Sequence, residues 1–293
     1  MELLAYAIIG GILYGIFFSL IGIGLNLIFG VMRIINLAHG QFIVLGGYAA
    51  WIISRHFGFN PLWGVPLSVV CAVVIGYPLY YAVVPRLQRS SDPEMLSFIL
   101  FFGIGQMLEA LTGLAFGADQ RSLPGEALGS GNIGLFGQQF PDSWWVAAAF
   151  SLAAIVGLYL YFAHTKLGYA TRAIMANRDE ALATGISVNR VSVIAFVAGL
   201  ALAGTAGVFL PYLLGSVSPD LGNELTTTSF AIVIIGSLGN PLGTVIGGLV
   251  FGLGTMLMQT YYSSWSNLVP YVLLLIIVLI RPTGLLGKAV RNA

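Results

Sequence analysis

The polar side chains that could act chemically in this apolar sequence occur in closely spaced pairs. Asn36 and His39 are three residues apart in INLAHGQFIVLGGYAAW, and Gly40 follows His39 directly. Gln106 and Glu109 form a second pair with the same spacing, in FFGIGQMLEALTGLAF. Residues three apart share one face of an α-helix, and polar groups within a membrane usually face a cavity or a partner helix. The two pairs therefore predict a polar lining for a substrate path.

Helix packing offers a second interpretation of the same residues. An Asn or His near the end of a helix often caps that helix or bonds the carbonyl of a neighbour. Glu109 needs a partner if it lies deep in the protein, because an isolated buried carboxylate is costly, whereas near the surface it is simply solvated. The residues alone leave both interpretations open.

A third candidate is the glycine-rich stretch GSLGNPLGTVIGGLVFGLG. Small residues at four-residue intervals let two helices approach closely, which predicts packing roles for Gly239, Gly243, Gly247, Gly248 and Gly252. Asn240 and Pro241 interrupt this run, so it forms either two separate crossings or two half-helices that meet in mid-membrane. In the second arrangement, free carbonyls at the break would line the substrate path.

The common signatures of ATP-binding and hydrolytic sites do not occur. The nearest approach to a phosphate-binding loop, from Gly284 to Lys288, has the wrong spacing and no Ser or Thr after the lysine. Neither His-Glu-x-x-His nor Gly-x-Ser-x-Gly is present, and His39, His56 and His164 are scattered. We therefore predict no catalytic residue, no metal site and no cofactor bound by this chain, and expect that it is not an enzyme.

Composition requires a membrane environment for the elements that position these residues. The 293 residues are 58% hydrophobic and 8% charged, against roughly 25% charged in soluble domains. Because backbone groups in lipid must be paired within their own segment, the class is all-α, a polytopic transmembrane bundle of about eight or nine spans of about 20 residues each. The net charge of +1 does not indicate a nucleic-acid partner.

The apolar runs belong to one transmembrane domain, 1–293. They cover about 3–31, 34–54, 61–84, 95–116, 144–164, 191–213, 225–262 and 265–281. Cations concentrate in loops that the positive-inside rule assigns to the cytoplasm, namely at Arg86, Arg89, Lys166, Arg172, Arg178, Arg190, Arg281, Lys288 and Arg291. The C-terminus is then cytoplasmic, and the N-terminus and the loop 117–143 are external.

Two loops exceed a simple turn. The external loop 117–143 is rich in Gly, Pro and polar residues, and either a partner sits there or it is only a linker. The cytoplasmic loop 165–190 contains helix-favouring residues and a glycine stop at Gly185, which predicts one or two short helices. Such a helix either docks a partner or rests on the lipid headgroups.

Three stretches together resemble the branched-chain amino acid ABC importer permeases, in particular the smaller permease subunit. They are INLAHGQFIVLGGYAAW, TRAIMANRDEALATGISVNRV, and IIGSLGNPLGTVIGGLVFG with the ending IRPTGLLG. The resemblance implies an ABC importer permease fold with broken helices and an ATPase-coupling loop. Its coupling positions here are Arg178, Asp179, Glu180, Ala181, Gly185 and Ile186. The Glu-Ala-Ala core common to importer loops reads Asp179-Glu180-Ala181 in this chain.

The same resemblance implies the working context. Its partners would be a second homologous permease, two cytosolic ATPases that hold the ATP, and an external solute-binding protein. The chain would lie in the bacterial inner membrane and carry branched-chain or related amino acids by alternating access, although similar permeases carry urea and short amides. The alternatives are a self-contained secondary transporter or channel with Glu109 and His39 as an ion relay, and a structural subunit of a membrane complex.

Overall fold

The computed structural model describes residues 2–287 and is almost entirely helical. The α-helices are α1 (Glu2–Met32), α2 (His39–Phe57), α3 (Gly64–Leu87), α4 (Pro93–Phe116), α5 (Asp142–His164), α6 (Lys166–Ala176), α7 (Arg178–Ala183), α8 (Val188–Val208), α9 (Leu210–Leu213), α10 (Leu221–Gly236), α11 (Pro241–Tyr261) and α12 (Val269–Ile280). Strands β1 (Asn132–Leu135) and β2 (Gln138–Pro141) form one antiparallel hairpin. Lys288 and Arg291 of the predicted cytoplasmic tail lie outside the described residues.

Seven segments of the described chain are long and apolar enough to cross a membrane. They contain α1, α3, α4, α5, α8 with α9, α11, and α12. The other two long helices are α2 and α10. Helix α10 has only 16 residues, which span about 24 Å and cannot cross a hydrocarbon core of about 30 Å alone. The predicted all-α polytopic bundle is confirmed.

Helix α1 is the centre of the bundle, and its tightest contact is with α11. Glycine makes this contact possible, because a Cβ at Gly248 would collide with Ser19 and a Cβ at Gly252 would collide with the backbone of Gly15. The two helix backbones therefore approach as closely as in small-residue membrane contacts, where packing supplies the attraction that hydrophobicity cannot.

Helices α2 and α10 both begin inside the bundle rather than at its ends. The segment 33–38 after α1 is not helical, so the predicted run at 34–54 is wrong at its start. The Asn36 side-chain oxygen accepts a hydrogen bond from Ala38 N–H at 3.1 Å and so stabilises the turn that precedes α2. At the start of α2, Gly40 N–H donates to Thr226 Oγ1 of α10 at 2.9 Å.

The break at Asn240 and Pro241 separates α10 from α11, and these two helices pack side by side. The turn between them lies at the end of the bundle, where Leu285 N–H donates to the Ile235 carbonyl at 2.8 Å. The positive φ angles of Ser237 (130°) and Gly239 (76°) reverse the chain there. The alternative of half-helices meeting in mid-membrane at this break is therefore wrong, and of the two helices that the turn joins only α11 is long enough to cross the membrane.

The two ends of the bundle carry different structures. At one end, which we call the hairpin end after its β-hairpin, β1 and β2 pair in register from Asn132 opposite Pro141 to Leu135 opposite Gln138. The isolated bridge between Arg121 and Val217 ties the same loop to the segment before α10. At the other end, which we call the α6–α7 end, two short helices stand outside the bundle, within the range of one or two that the sequence predicts. The small hairpin is the one β-sheet among the described residues.

Candidate functional site

Four polar side chains from three helices meet where α2 and α10 begin. Glu109 Oε2 of α4 accepts hydrogen bonds from Asn223 Nδ2 at 2.8 Å, Gln41 Nε2 at 3.4 Å and Gln106 Nε2 at 3.5 Å. Gln106 Nε2 also reaches Asn223 Oδ1 at 3.3 Å. We call Gln41, Gln106, Glu109 and Asn223 the amide–carboxylate cluster. It brings the predicted pair on α4 together with residues of two helices that are distant in sequence.

The cluster opens onto one face of the bundle. Gln41 is 1% exposed, Glu109 is half-buried, and Gln106 and Asn223 are exposed. The N-terminal ends of α2 and α10 lie beside the carboxylate, and the partial positive charge of a helix N-terminus stabilises a negative group. The arrangement can hold a charged group within the bundle while leaving one side of it accessible.

Asn36 and His39 lie deeper, with 0% exposure each. His39 Nε2 makes a hydrogen bond with the carbonyl of Ile21 on α1 at 3.0 Å, and Asn36 Oδ1 accepts from Ala38 N–H in the turn before α2. Gly40 contributes space, because a Cβ there would collide with the Gly222 carbonyl of α10. In this conformation these residues hold α1, α2 and α10 together, and their role in a substrate path stays a prediction.

Asn240 and Pro241 are far from the cluster, at the α6–α7 end. Asn240 caps α11 by accepting a hydrogen bond from Gly243 N–H at 3.2 Å, and its Nδ2 donates to the Leu286 carbonyl at 3.3 Å. Both residues line a largely apolar cavity of about 660 Å³ that also contacts Arg172 of α6. Their role in a substrate path also stays a prediction.

The glycines of α11 face two different neighbours. Gly243 and Gly247 lie against the backbone of α10, near Gly236, whereas Gly248 and Gly252 lie against α1. Gly239 lies in the turn before α11, where its N–H donates to Asn26 Oδ1 at 2.6 Å. Helix α11 therefore contacts both α10 and α1 through glycines, which have no side chain.

Helix α7 is a short, well-capped element at the α6–α7 end. The Asn177 side chain accepts hydrogen bonds from Asp179 N–H at 3.1 Å and Glu180 N–H at 3.3 Å. At the other end, Ile186 N–H donates to the Ala181 carbonyl at 3.1 Å, and Gly185 takes a φ of 82°. This pattern of bonds and a left-handed glycine is the usual way to end a helix.

The surface of α7 combines acidic and apolar groups. Asp179 and Glu180 are exposed, and Leu182 is 61% exposed. Ala181 is buried, and Ile186 is half-buried. Arg178 Nη2 donates to Gln88 Oε1 at 2.9 Å, which joins α7 to the end of α3. A protein that contacts this surface could therefore move α3 through α7.

Sequence reasoning missed three residues that take part in these contacts. Gln41 directly follows Gly40. The signal that could have identified it is its amide side chain, which is a further polar group in the same apolar stretch. Asn223 lies between the predicted apolar runs 191–213 and 225–262, so it belonged to no predicted helix. Asn26 is an isolated polar residue in the long first run, and its Nδ2 and Oδ1 bond Thr244 Oγ1 and Gly239 N–H. An isolated polar residue in an apolar span is the signal that would have identified it.

Comparison with known proteins decides the family. Residues 7–278 match the model of the family described as "Branched-chain amino acid transport system / permease component". The chain belongs to this family. It is therefore a multi-pass membrane protein and a transport component rather than an enzyme, as predicted, and the alternative of a self-contained secondary transporter is not favoured.

Individual relatives agree over nearly the full length. The chain is 28% identical over 290 residues to the high-affinity branched-chain amino acid transport system permease protein LivH of Escherichia coli, covering 95% of this chain and 94% of that protein. It is 23% identical to the LivM permease protein of the same system and organism, covering 92% and 67%. The fold is similar to PsaBC from Streptococcus pneumoniae, solved in complex with Fab, with a TM-score of 0.52, 16% identity and coverage of 97% and 93%.

Proposed function

We propose that this chain is the membrane-spanning permease subunit of an ABC importer for branched-chain or related amino acids, working by alternating access. The observation that carries the proposal is helix α7, which projects an acidic and apolar face at one end of a bundle of this permease family. Such a face suits a groove of a cytosolic ATPase, which would hold the ATP. Rigid-body movement of the ATPase would then reach α3 through the contact between Arg178 and Gln88.

A second, homologous permease would cover the open face of the amide–carboxylate cluster. Exposed groups such as Gln106 and Asn223 are costly against lipid, so this face is better suited to a partner and an aqueous path. Support comes from the relatives, because this chain is similar to both LivH and LivM, two permease proteins of one named system. The path would then run between the two permeases.

The remaining partners follow from the two ends. We place the α6–α7 end in the cytoplasm with two ATPase subunits, because Lys166, Arg172, Arg178 and Arg190 lie there. The hairpin end would be external and would receive a solute-binding protein over the loop 117–143. The membrane is the bacterial inner membrane. ATP is the partners' ligand, and we propose no cofactor on this chain.

A pull-down tests the proposal most directly. The tagged chain is purified in detergent from its native membrane, co-purifying proteins are identified by mass spectrometry, and the eluate is assayed for ATP hydrolysis. We expect an ATPase and a second permease in the eluate. Recovery of the chain alone, with transport after reconstitution without ATP, would overturn the proposal.

A further inference from the structure

The amide–carboxylate cluster contains hydrogen-bond acceptors that lack donors. Glu109 Oε2 takes bonds from three neutral amides, whereas Oε1 accepts none from any residue that the structure describes. Gln41 Oε1 is buried and also lacks a partner. The orientation of this amide is set by its other atom, because Gln41 Nε2 donates to Glu109 Oε2 and to the Pro219 carbonyl at 3.3 Å.

A buried acceptor without a donor is unusual, because it loses its bond to water and receives nothing in return. Here the side chain that carries it is 1% exposed and is held in place from two sides. Gly222 permits this position, because a Cβ there would collide with the Gln41 amide. The fold therefore holds a buried acceptor next to the half-buried carboxylate, whose other neighbours Gln106 and Asn223 are exposed.

The chemistry that satisfies this pair is a cationic donor. An ammonium group carries three N–H donors and a positive charge, so it can bond both a carboxylate oxygen and an amide oxygen. The carboxylate has only neutral amides as hydrogen-bond partners among the described residues, which leaves its charge available to such a group. A neutral solute without donors gains nothing at this position.

We infer that Glu109 and Gln41 form a subsite that takes the ammonium end of a zwitterionic solute on its way through the permease, with Asn223 and Gln106 positioning the carboxylate. This inference rests on the proposed function, because it assumes that the open face of the cluster borders the substrate path. It adds the part of the solute that is recognised and the two residues that touch it.

The test uses the whole importer in proteoliposomes, with a saturating amount of its leucine-loaded binding protein. Uptake of labelled leucine and ATP hydrolysis are measured together. We expect Glu109→Gln to lower leucine uptake per ATP hydrolysed by at least about tenfold, because a charge-assisted hydrogen bond is lost while the shape is kept. Glu224→Gln is the control, since this exposed carboxylate of α10 takes no part in the hydrogen bonds of the cluster.

Two fragments of leucine test the charge without any variant. The amine 3-methylbutylamine keeps the ammonium, and 4-methylpentanoate keeps the carboxylate. We expect the amine to inhibit the unmodified importer more strongly than the acid, and to lose this advantage in Glu109→Gln. Equal inhibition by both fragments, or normal coupled uptake in Glu109→Gln, would overturn the subsite. An unmodified complex that transports nothing with ATP would instead contradict the proposed function.

Discussion

At the scale of single residues, a few buried amides decide how the apolar helices meet. Asn26 is fully buried in α1 and bonds Gly239 N–H and Thr244 Oγ1, so it fixes the turn between α10 and α11. A buried side chain that makes two hydrogen bonds fixes how its helix packs, because few other packing arrangements would offer it the same two partners. The bond from Ala38 N–H to Asn36 and the bond between His39 and Ile21 act in the same way at the start of α2.

Replacing Asn26 by Leu should therefore destabilise the bundle. The change leaves the half-buried Gly239 N–H without its acceptor and removes the donor to the buried Thr244 Oγ1, and a buried polar group that loses its partner costs about 1–3 kcal/mol. The measurement is the thermal unfolding midpoint of the purified protein in detergent. Asn267→Leu is the matched control, because Asn267 is exposed. A midpoint for Asn26→Leu equal to that of the control would contradict the assigned contact.

At the scale of elements, the contact between α1 and α11 depends on missing side chains. Leu at Gly252 should prevent the close approach, because even a Cβ would collide with the backbone of Gly15. Overpacking of this kind typically costs about 1–3 kcal/mol or more. We expect a large loss of folded protein by size-exclusion chromatography. Gly157→Leu on α5 is the control, since nothing lies within 4 Å of a Cβ there. Equal yields would show that the contact is looser than described.

Helix α7 yields a second prediction at this scale. Gly185→Trp should leave insertion and ATP hydrolysis intact while reducing solute uptake, because the new ring projects into open space where an ATPase would dock. The assay compares uptake and ATP hydrolysis in the reconstituted importer.

Two further variants separate the causes in that experiment. Gly58→Trp is matched, because Gly58 also has a positive φ and nothing within 4 Å, but it follows α2 at a different site. Gly185→Ala shares the backbone strain, roughly 1–2 kcal/mol, without the bulk. Normal uptake in Gly185→Trp, or equal loss in all three variants, would remove the case for docking at α7.

At the scale of the whole molecule, the exposed surface includes broad apolar areas and a polar patch at the amide–carboxylate cluster. Helix α12 buries only Val269 among its residues, and α4 exposes large apolar side chains such as Leu111 at 53%. The same α4 presents Gln106 on a different side. Lipid can cover the apolar faces, whereas the polar face needs water or a partner.

Water access distinguishes these faces. Cys71 is the only cysteine, so a Cys71→Ala background gives a clean reporter for a positively charged, membrane-impermeant thiol reagent. In the reconstituted importer, Gln106→Cys should react much faster than Leu111→Cys, because the reactive thiolate forms only where water reaches it. Mass spectrometry of the labelled protein gives the two rates. Equal rates would show that the cluster does not border an aqueous path.

The sequence by itself determined the environment, the class and the family of this protein. Lipid requires every backbone group to be paired locally, so apolar content alone specified helices, and the short helices of the loop 165–190 followed from local propensity and Gly185. The resemblance of three stretches to one permease family was confirmed by the match over residues 7–278.

Only the tertiary structure decided where the chain breaks inside the bundle and which polar groups meet. A hydropathy profile does not detect a helix that begins halfway across the bundle, because it averages the residues around Asn36 and Asp220 with their apolar neighbours. In the cluster, Glu109 bonds Gln41 and Asn223, which lie 68 and 114 positions away from it in the sequence. Contacts over such separations depend on how helices pack, and packing is set by the shapes of whole faces rather than by any local pattern.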